Sequence, residues 1–156
     1  MGNRGVITTR KKDLGVYLHW NGGRDSVQAF LKYCELRNFR PPEEDGYGWA
    51  RLCQVIGNYF GGSLSLGLDV FENLDYDNGD NGAHIIEDWK IVGREFFSGP
   101  EQDRYHLLDL LQAINAKQPK EDQLSYDSLK AAITSAKAPG NEKKTRAACR
   151  RIGVLP

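Results

Sequence analysis

The residues best suited to binding or chemistry lie in one glycine-rich turn. The turn spans residues 21–26 (NGGRDS) and separates a strand-like alternation from a helix-like pattern. At the start of a helix, unpaired backbone N–H groups and the helix dipole favour an anion such as a phosphate, a nucleotide or a carboxylate. The candidate anion-binding residues are His19, Asn21, Gly22, Gly23 and Arg24.

A tight turn that only requires glycine is the competing interpretation of the same residues. Neither a Walker pattern nor a dinucleotide-binding glycine pattern is present. Asp25 is a good N-cap and Gln28 stands at capping-box spacing, so the Asp25 carboxylate would itself occupy the helix terminus. The sequence leaves both interpretations of the turn open.

The histidines give little support for catalysis. His19, His84 and His106 fall in three separate predicted elements, and an acid such as Asp25 or Asp88 beside one of them would be needed for a general base. The chain has no HExxH, CxxC or GxSxG pattern. The sequence therefore favours a protein that is not an enzyme, with no catalytic residues, metal or cofactor predicted.

The loop of residues 75–82 (DYDNGDNG) resembles a calcium-binding loop only in part. Counted from Asp77, the third place is Gly79, which has no side-chain oxygen, and the twelfth is Asp88 instead of a bidentate glutamate. The flanking residues also follow strand patterns, whereas calcium loops of this kind join helices. A hairpin loop rich in turn-forming residues is the better prediction.

Charge is distributed unevenly along a chain whose formal net charge is zero. Residues 41–90 contain ten acidic residues against Arg51 and Lys90, a balance of −8, and residues 118–156 contain eight basic residues against four acidic ones, a balance of +4. Aromatic residues beside an acidic band are typical of a protein-binding surface. The predicted partner-binding residues are Glu72, Asp75, Tyr76, Asp77, Asp80 and Trp89.

Two alternatives to this contact surface come from the same residues. The acidic band would also suit a solvated face without a partner. The aromatic residues would equally suit cover for the second face of a sheet. Direct nucleic-acid binding is expected only through the basic C-terminal segment, because the acidic band repels phosphate.

Hydrophobic periodicity predicts an α+β fold with an antiparallel sheet of three to five strands and helices packed mainly on one face. In residues 63–71, the side chains at 64, 66, 68 and 70 are all apolar and are predicted to face the core. The predicted strands are 6–10, 16–20, 63–71, 83–89 and 90–97. The predicted helices begin near 25 and span 48–60, 98–117 and 125–136.

We expect an α+β domain over residues 1–117 and a basic, helical and peripheral C-terminal segment over residues 118–156. The chain has neither an apolar run long enough to span a membrane nor the apolar core of a secretory signal. Its three cysteines are far apart in sequence, which suits free thiols in a reducing compartment. The expected location is the cytoplasm.

Three stretches carry a resemblance to small uncharacterised proteins of bacterial prophages and conjugative elements. They are YLHWNGGRDSVQAFLKYC, YGWARLCQVIGNYFGG and the strand pair that ends in IVGREFF, and the likeness covers about residues 15–117. The resemblance implies no site residues. It does imply a setting in which small non-enzymatic proteins often inhibit host defence, anti-CRISPR proteins among them. The partner would then be a host protein, such as a defence enzyme that processes nucleic acid.

Overall fold

The computed structural model describes residues 3–136, which form a mixed sheet and four α-helices. The strands are β1 (Gly5–Thr9), β2 (Leu14–Leu18), β3 (Leu66–Val70), β4 (Ala83–Glu87) and β5 (Lys90–Glu95). The helices are α1 (Arg24–Leu36), α2 (Gly46–Phe60), α3 (Leu107–Ala116) and α4 (Tyr126–Ala136). Two 3₁₀ turns, Phe71–Asn73 and Lys120–Asp122, complete the elements. The predicted α+β class is confirmed, and the five strands fall within the predicted range of three to five.

The sheet is mixed, so the prediction of a purely antiparallel sheet is wrong in one pair. The strand order is β3-β2-β1-β4-β5, and β1 pairs with β4 in parallel while the other neighbours are antiparallel. The consecutive strands β3 and β4 do not pair, because the connection between them passes two other strands. The segment 75–82 therefore is not the hairpin loop that its turn residues predicted.

One face of the sheet is covered by helices, as predicted. Ile7, Val16, Leu18 and Ile86 point to this face and are fully buried in the main hydrophobic core. The helical partners in the same core include Phe30, Leu31, Leu52, Ile56 and Leu111. Alternation along each strand determines which side chains enter this layer.

The opposite face of the sheet is covered by the connection between β3 and β4. Phe71 is buried there against Val6 and Ala83, with Leu74 and Tyr76 packed around them. This second cluster is small, and none of its residues belongs to the α-helices of residues 3–136. The connection thus serves as the second layer over the sheet.

The start of α1 and the start of α3 differ from prediction. Gly23, not Asp25, is the N-cap of α1. The Asp25 carboxylate accepts hydrogen bonds from the backbone N–H groups of Arg104 and Tyr105, at 2.8 and 3.0 Å. Residues 98–106 are held as a loop across the α1 terminus, and the helix predicted over 98–117 begins only at Leu107.

The prediction for the apolar face of β3 is also wrong. Leu66 is the residue of this strand that packs against the main core, close to Gly57 of α2. Leu64, Leu68 and Val70 are 104%, 55% and 45% exposed. β3 is an edge strand, and the helical layer ends before it reaches these side chains.

The described part of the C-terminal segment packs on the helical layer. The helix predicted over 125–136 is confirmed, and its Leu129 belongs to the main core. Residues 137–156, which hold most of the basic charge predicted for the tail, lie outside the described residues. The domain division and nucleic-acid binding by the tail stay predictions. Within residues 3–136, no helix has both the length and the apolar character needed to cross a membrane.

Candidate functional site

The glycine turn between β2 and α1 is filled by the protein's own backbone. A Cβ atom on Gly22 would lie 2.5 Å from the Gly5 nitrogen, so the chain passes Gly22 in direct contact. The Gly22 N–H donates to the Asn3 carbonyl at 2.8 Å, and its carbonyl accepts from His84 Nε2 at 2.7 Å. Asn21 lies in the left-handed region with φ of 57°. These groups favour the interpretation of the segment as a tight structural turn.

The two side chains that would add charge to an anion site in this turn lie in different surroundings. His19 Nδ1 lies 2.9 Å from the Tyr17 hydroxyl, and its ring makes an edge contact with Trp20. Arg24 lies 3.6 Å from the Glu101 carboxylate on the side of the loop that precedes α3. His19 and Arg24 therefore have separate partners.

His84 is a buried structural histidine in this arrangement. A carbonyl can only accept, so His84 Nε2 carries the proton that bonds Gly22, and Nδ1 is left as a buried acceptor with no partner in the structure. Burial and the nearby Arg94 guanidinium lower the pKa of His84 to about 3. The neutral imidazole ties β4 to the turn before α1.

Asn78 organises the connection between β3 and β4. Its Oδ1 accepts from the backbone N–H groups of Asp80, Asn81 and Gly82, at 3.0 to 3.1 Å. Its Nδ2 donates to the Asp75 and Gly82 carbonyls, at 3.0 and 3.2 Å. Asparagine commonly bonds nearby backbone in this way, so the composition of the segment favours an ordered turn.

Two of the predicted contact acids have an internal partner. Arg4 Nε lies 2.8 Å from the Asp80 carboxylate, and Arg4 Nη1 lies 3.6 Å from that of Asp75. The hydrogen bond from Arg4 lowers the pKa of Asp80. Asp80 and Asp75 thus fasten the connection to the start of β1 and are less available to a partner.

The two aromatic residues predicted to contact a partner, Tyr76 and Trp89, instead pack against other residues of this chain. Tyr76 stacks on Phe71 and contacts Phe96, with ring centroids 4.7 Å apart in both pairs. Trp89 is only 2% exposed and donates from Nε1 to the Phe39 carbonyl at 2.8 Å, so its prediction as a surface contact is wrong. Positive φ angles at Asp88 and Trp89 form the tight turn from β4 to β5.

Four exposed acids near the end of β3 have no cation partner within residues 3–136, and other acids without one, such as Asp103 and Glu121, lie elsewhere. The four are Asp13, Asp69, Glu72 and Asp77. The Phe71 N–H donates to the Asp13 carbonyl at 2.9 Å, which places Asp13 beside this end of the strand. Asp77 follows Tyr76, whose ring stacks on that of Phe71. We define the acidic edge as Asp13, Leu68, Asp69, Val70, Glu72 and Asp77.

Sequence reasoning named Glu72 and Asp77 as contacts and included Asp69 in the acidic band 41–90, but it missed Asp13 and the apolar part of this surface. Leu68 and Val70 belong to the clearest strand alternation in the chain, and that alternation predicts burial. Nothing in the alternation itself marks a strand as the edge of a sheet. The order of strands, which depends on distant residues, decided it.

Comparison with protein-family models, curated proteins and solved structures finds no match to this chain. Across residues 3–136, no group of three or more His, Cys, Asp or Glu residues is arranged to hold a metal ion.

Proposed function

We propose that this chain is a non-enzymatic binding protein that contacts a basic protein partner through the acidic edge. The observation that carries the proposal is the coincidence of exposed apolar side chains and unpaired acids on one edge strand. Leu68 and Val70 are about half exposed on one side of β3, while Asp69 and Glu72 add negative charge beside them. Such a combination suits a partner with both apolar and basic residues.

An edge strand supports recognition by its backbone as well as by its side chains. Within residues 3–136, β3 pairs only with β2, so alternate backbone groups on its other side face away from the sheet. The Val70 N–H donates to Asp69 Oδ1 at 2.7 Å, and the outward groups of Leu66 and Leu68 are those that a further strand would pair with. An extended partner segment that adds to β3 would pair with these groups, and its alternate side chains would contact Leu68 and Val70. Basic residues in that segment would meet Asp69 and Glu72.

The unpaired acids also contribute at long range. Asp13, Asp69, Glu72 and Asp77 have no cation within 4 Å among residues 3–136, so little of their field is neutralised locally. A surface of one charge sign raises the association rate with an oppositely charged partner, and the effect falls with salt. Binding is therefore expected to weaken as ionic strength rises.

The specific form of the proposal is inhibition of a host factor by a protein of a mobile element, as anti-CRISPR proteins do. The resemblance of residues 15–117 to prophage and conjugative-element proteins supports this setting. A defence enzyme that binds nucleic acid has a basic surface for phosphate, and the acidic edge would compete for the same lysine and arginine residues. Inhibition would then follow from occupation of the substrate surface.

The test compares two double charge reversals with the wild-type chain. Glu72→Lys/Asp77→Lys alters two exposed acids without described partners, whereas Asp103→Lys/Glu121→Lys makes the same charge change elsewhere. Asp75 and Asp80 are avoided because their reversal would break the pairs with Arg4. Each protein is used to capture a partner from bacterial lysate, and the purified partner is titrated calorimetrically at two salt concentrations.

We expect the Glu72→Lys/Asp77→Lys variant to bind the partner at least tenfold more weakly, which corresponds to a loss of about 1.4 kcal/mol of binding free energy. The Asp103→Lys/Glu121→Lys control should keep the wild-type affinity. Equal affinity of both variants, with both folded by circular dichroism, would reject the acidic edge as the contact surface. Salt-independent affinity would reject the proposed electrostatic contribution.

A further inference from the structure

We propose that a pocket on the helical side of the protein binds a small molecule that carries a phosphate or carboxylate group. The pocket has a volume of about 300 Å³ and lies between the end of α1, one side of α2 and the segment that follows α3. This volume is at the lower end of the range for small-molecule sites. The pocket does not include any residue of the acidic edge.

Two arginines from different elements line this pocket around one aromatic ring. Arg37 follows the last turn of α1, and Arg51 projects from α2. The guanidinium carbon of each lies 5.8 Å from the centroid of the Phe39 ring. Contact with an aromatic ring restrains a guanidinium group, and the planar N–H fork of arginine matches the oxygens of carboxylate and phosphate.

The charge balance of the lining favours an anion. Among residues 3–136, the lining holds Arg37, Arg51 and a single acid, Asp122, whose carboxylate lies 3.5 Å from Arg37 Nη2. Arg51 donates to the neutral Gln54 amide at 3.2 Å and has no carboxylate within 4 Å among residues 3–136. Arg51 is thus a cation without a counter-ion, in a stretch of the chain whose balance is −8.

Another part of the pocket lining, at Asn58 and Gln118, is ordered by amide side chains. Asn58 Nδ2 donates to Gln118 Oε1 at 2.9 Å, and the Gln118 amide nitrogen donates to the Val55 and Ile114 carbonyls, both at 3.1 Å. Gln118 is buried, so these bonds fix the wall before any ligand arrives. Asn58 Oδ1 keeps its capacity to accept a hydrogen bond from a ligand N–H or O–H.

The arginines and the amide side chains of the lining together define the class of ligand that the pocket suits. An oxyanion group would lie against Arg51 and Arg37, and a polar group that donates hydrogen bonds would reach Asn58. The Phe39 ring and the Val55 side chain offer apolar surface between them. Mononucleotides combine an oxyanion with a flat polar ring, so they are suitable probes, and inorganic phosphate and citrate test the oxyanion subsite alone.

The experiment titrates the full chain with inorganic phosphate, citrate and the four 5′-ribonucleoside monophosphates by calorimetry, with thermal shift in parallel. A ligand that binds the folded state raises the melting temperature with its concentration. We expect at least one probe to bind the wild-type chain, and Arg51→Gln to weaken it about tenfold or more, because a charge-assisted bond is lost.

Two controls make the result decisive. Arg10→Gln removes an exposed arginine that directly follows β1 and does not line the pocket, so the affinity for the probe should not change. Glu72→Lys/Asp77→Lys should also bind the probe normally, so failure of the partner surface is distinguishable from failure of the pocket. The proposal is overturned if no probe binds at about 10 mM, a concentration that detects even millimolar affinity, or if wild type and Arg51→Gln bind equally well.

Discussion

The two faces of the sheet are covered in different ways. On the helix-covered face, apolar side chains of α1, α2 and α3 interdigitate with those of β1, β2 and β4. On the loop-covered face, the segment 71–82 places a few apolar side chains on the strands and is held mainly by polar bonds through Asn78 and Arg4. One face depends on burial and the other on local hydrogen bonding.

This difference explains where the candidate contact surface lies. The helices pack against β1, β2 and β4, but on the edge strand β3 only Leu66 packs against the core that they form. The connection that leaves β3 folds back over the other face, so it does not cover the strand's outer side. Leu68 and Val70 are therefore exposed at the edge of the sheet, where neither the helices nor the segment 71–82 covers them.

The largest expected effect comes from matched phenylalanine truncations on the two faces. Phe30 is fully buried against Tyr59 and Phe60, whereas Phe71 is 7% exposed and packs on the sheet from the 3₁₀ turn of the covering segment. We expect Phe30→Ala to lower the free energy of unfolding by about 4 kcal/mol and Phe71→Ala by about 2 kcal/mol, because a loop collapses into a cavity more easily. Urea unfolding measures both, and equal losses would contradict the comparison.

The second prediction is a pH dependence that belongs to the helix-covered face. The pKa of His84 is lowered from 6.5 to about 3 in the folded state, so below pH 6.5 the unfolded chain binds a proton that the folded chain does not. Stability from this group is full above pH 6.5 and is lost as the pH falls toward 3. Between pH 7 and pH 4.5 the loss is on the order of 2 to 3 kcal/mol.

The measurement for His84 is urea unfolding at pH 7 and pH 4.5, for the wild type and for His84→Gln. Glutamine keeps an N–H donor for the Gly22 carbonyl but does not titrate. The variant should show a smaller loss of stability on acidification, since only the carboxylates then contribute. An unchanged pH dependence would show that His84 is not buried in the neutral form.

The third and smallest effect concerns the hydrogen bonds of the loop-covered face. Asn78→Ala removes an acceptor from three backbone N–H groups, and of these only the Asn81 N–H keeps another, the Arg4 carbonyl at 3.0 Å. We expect a cost of about 2 kcal/mol. Asn73→Ala is the matched control, because the side chain of Asn73 is exposed and makes only long contacts of 3.4 Å with Asp69. Urea unfolding gives the two costs.

Hydrogen exchange shows where the Asn78→Ala effect is located. We expect the amide protons of residues 80–82 to lose protection, while those of α1 keep theirs, because the two faces open separately. Loss of protection throughout α1 would mean that the faces are one cooperative unit. That result would remove the contrast between burial and local bonding.

The sequence alone determined the elements whose signals are local. The spacing of the apolar residues predicted the positions of α2 and α4. Gly61, which has a φ of 67°, ends α2, as glycine commonly does at the C-terminus of a helix. It also showed the excess of acid in residues 41–90. These features depend on a few neighbouring residues, so they can be read without knowledge of the rest of the chain.

Only the tertiary structure decided what each element faces. It made β3 an edge strand, buried Trp89, paired Asp80 with Arg4 and turned Asp25 from a helix cap into an anchor for residues 104 and 105. It also brought Arg37 and Arg51 to one pocket. The physical reason is that burial and ion pairing join residues far apart in the chain, whereas composition and period report only on residues close together.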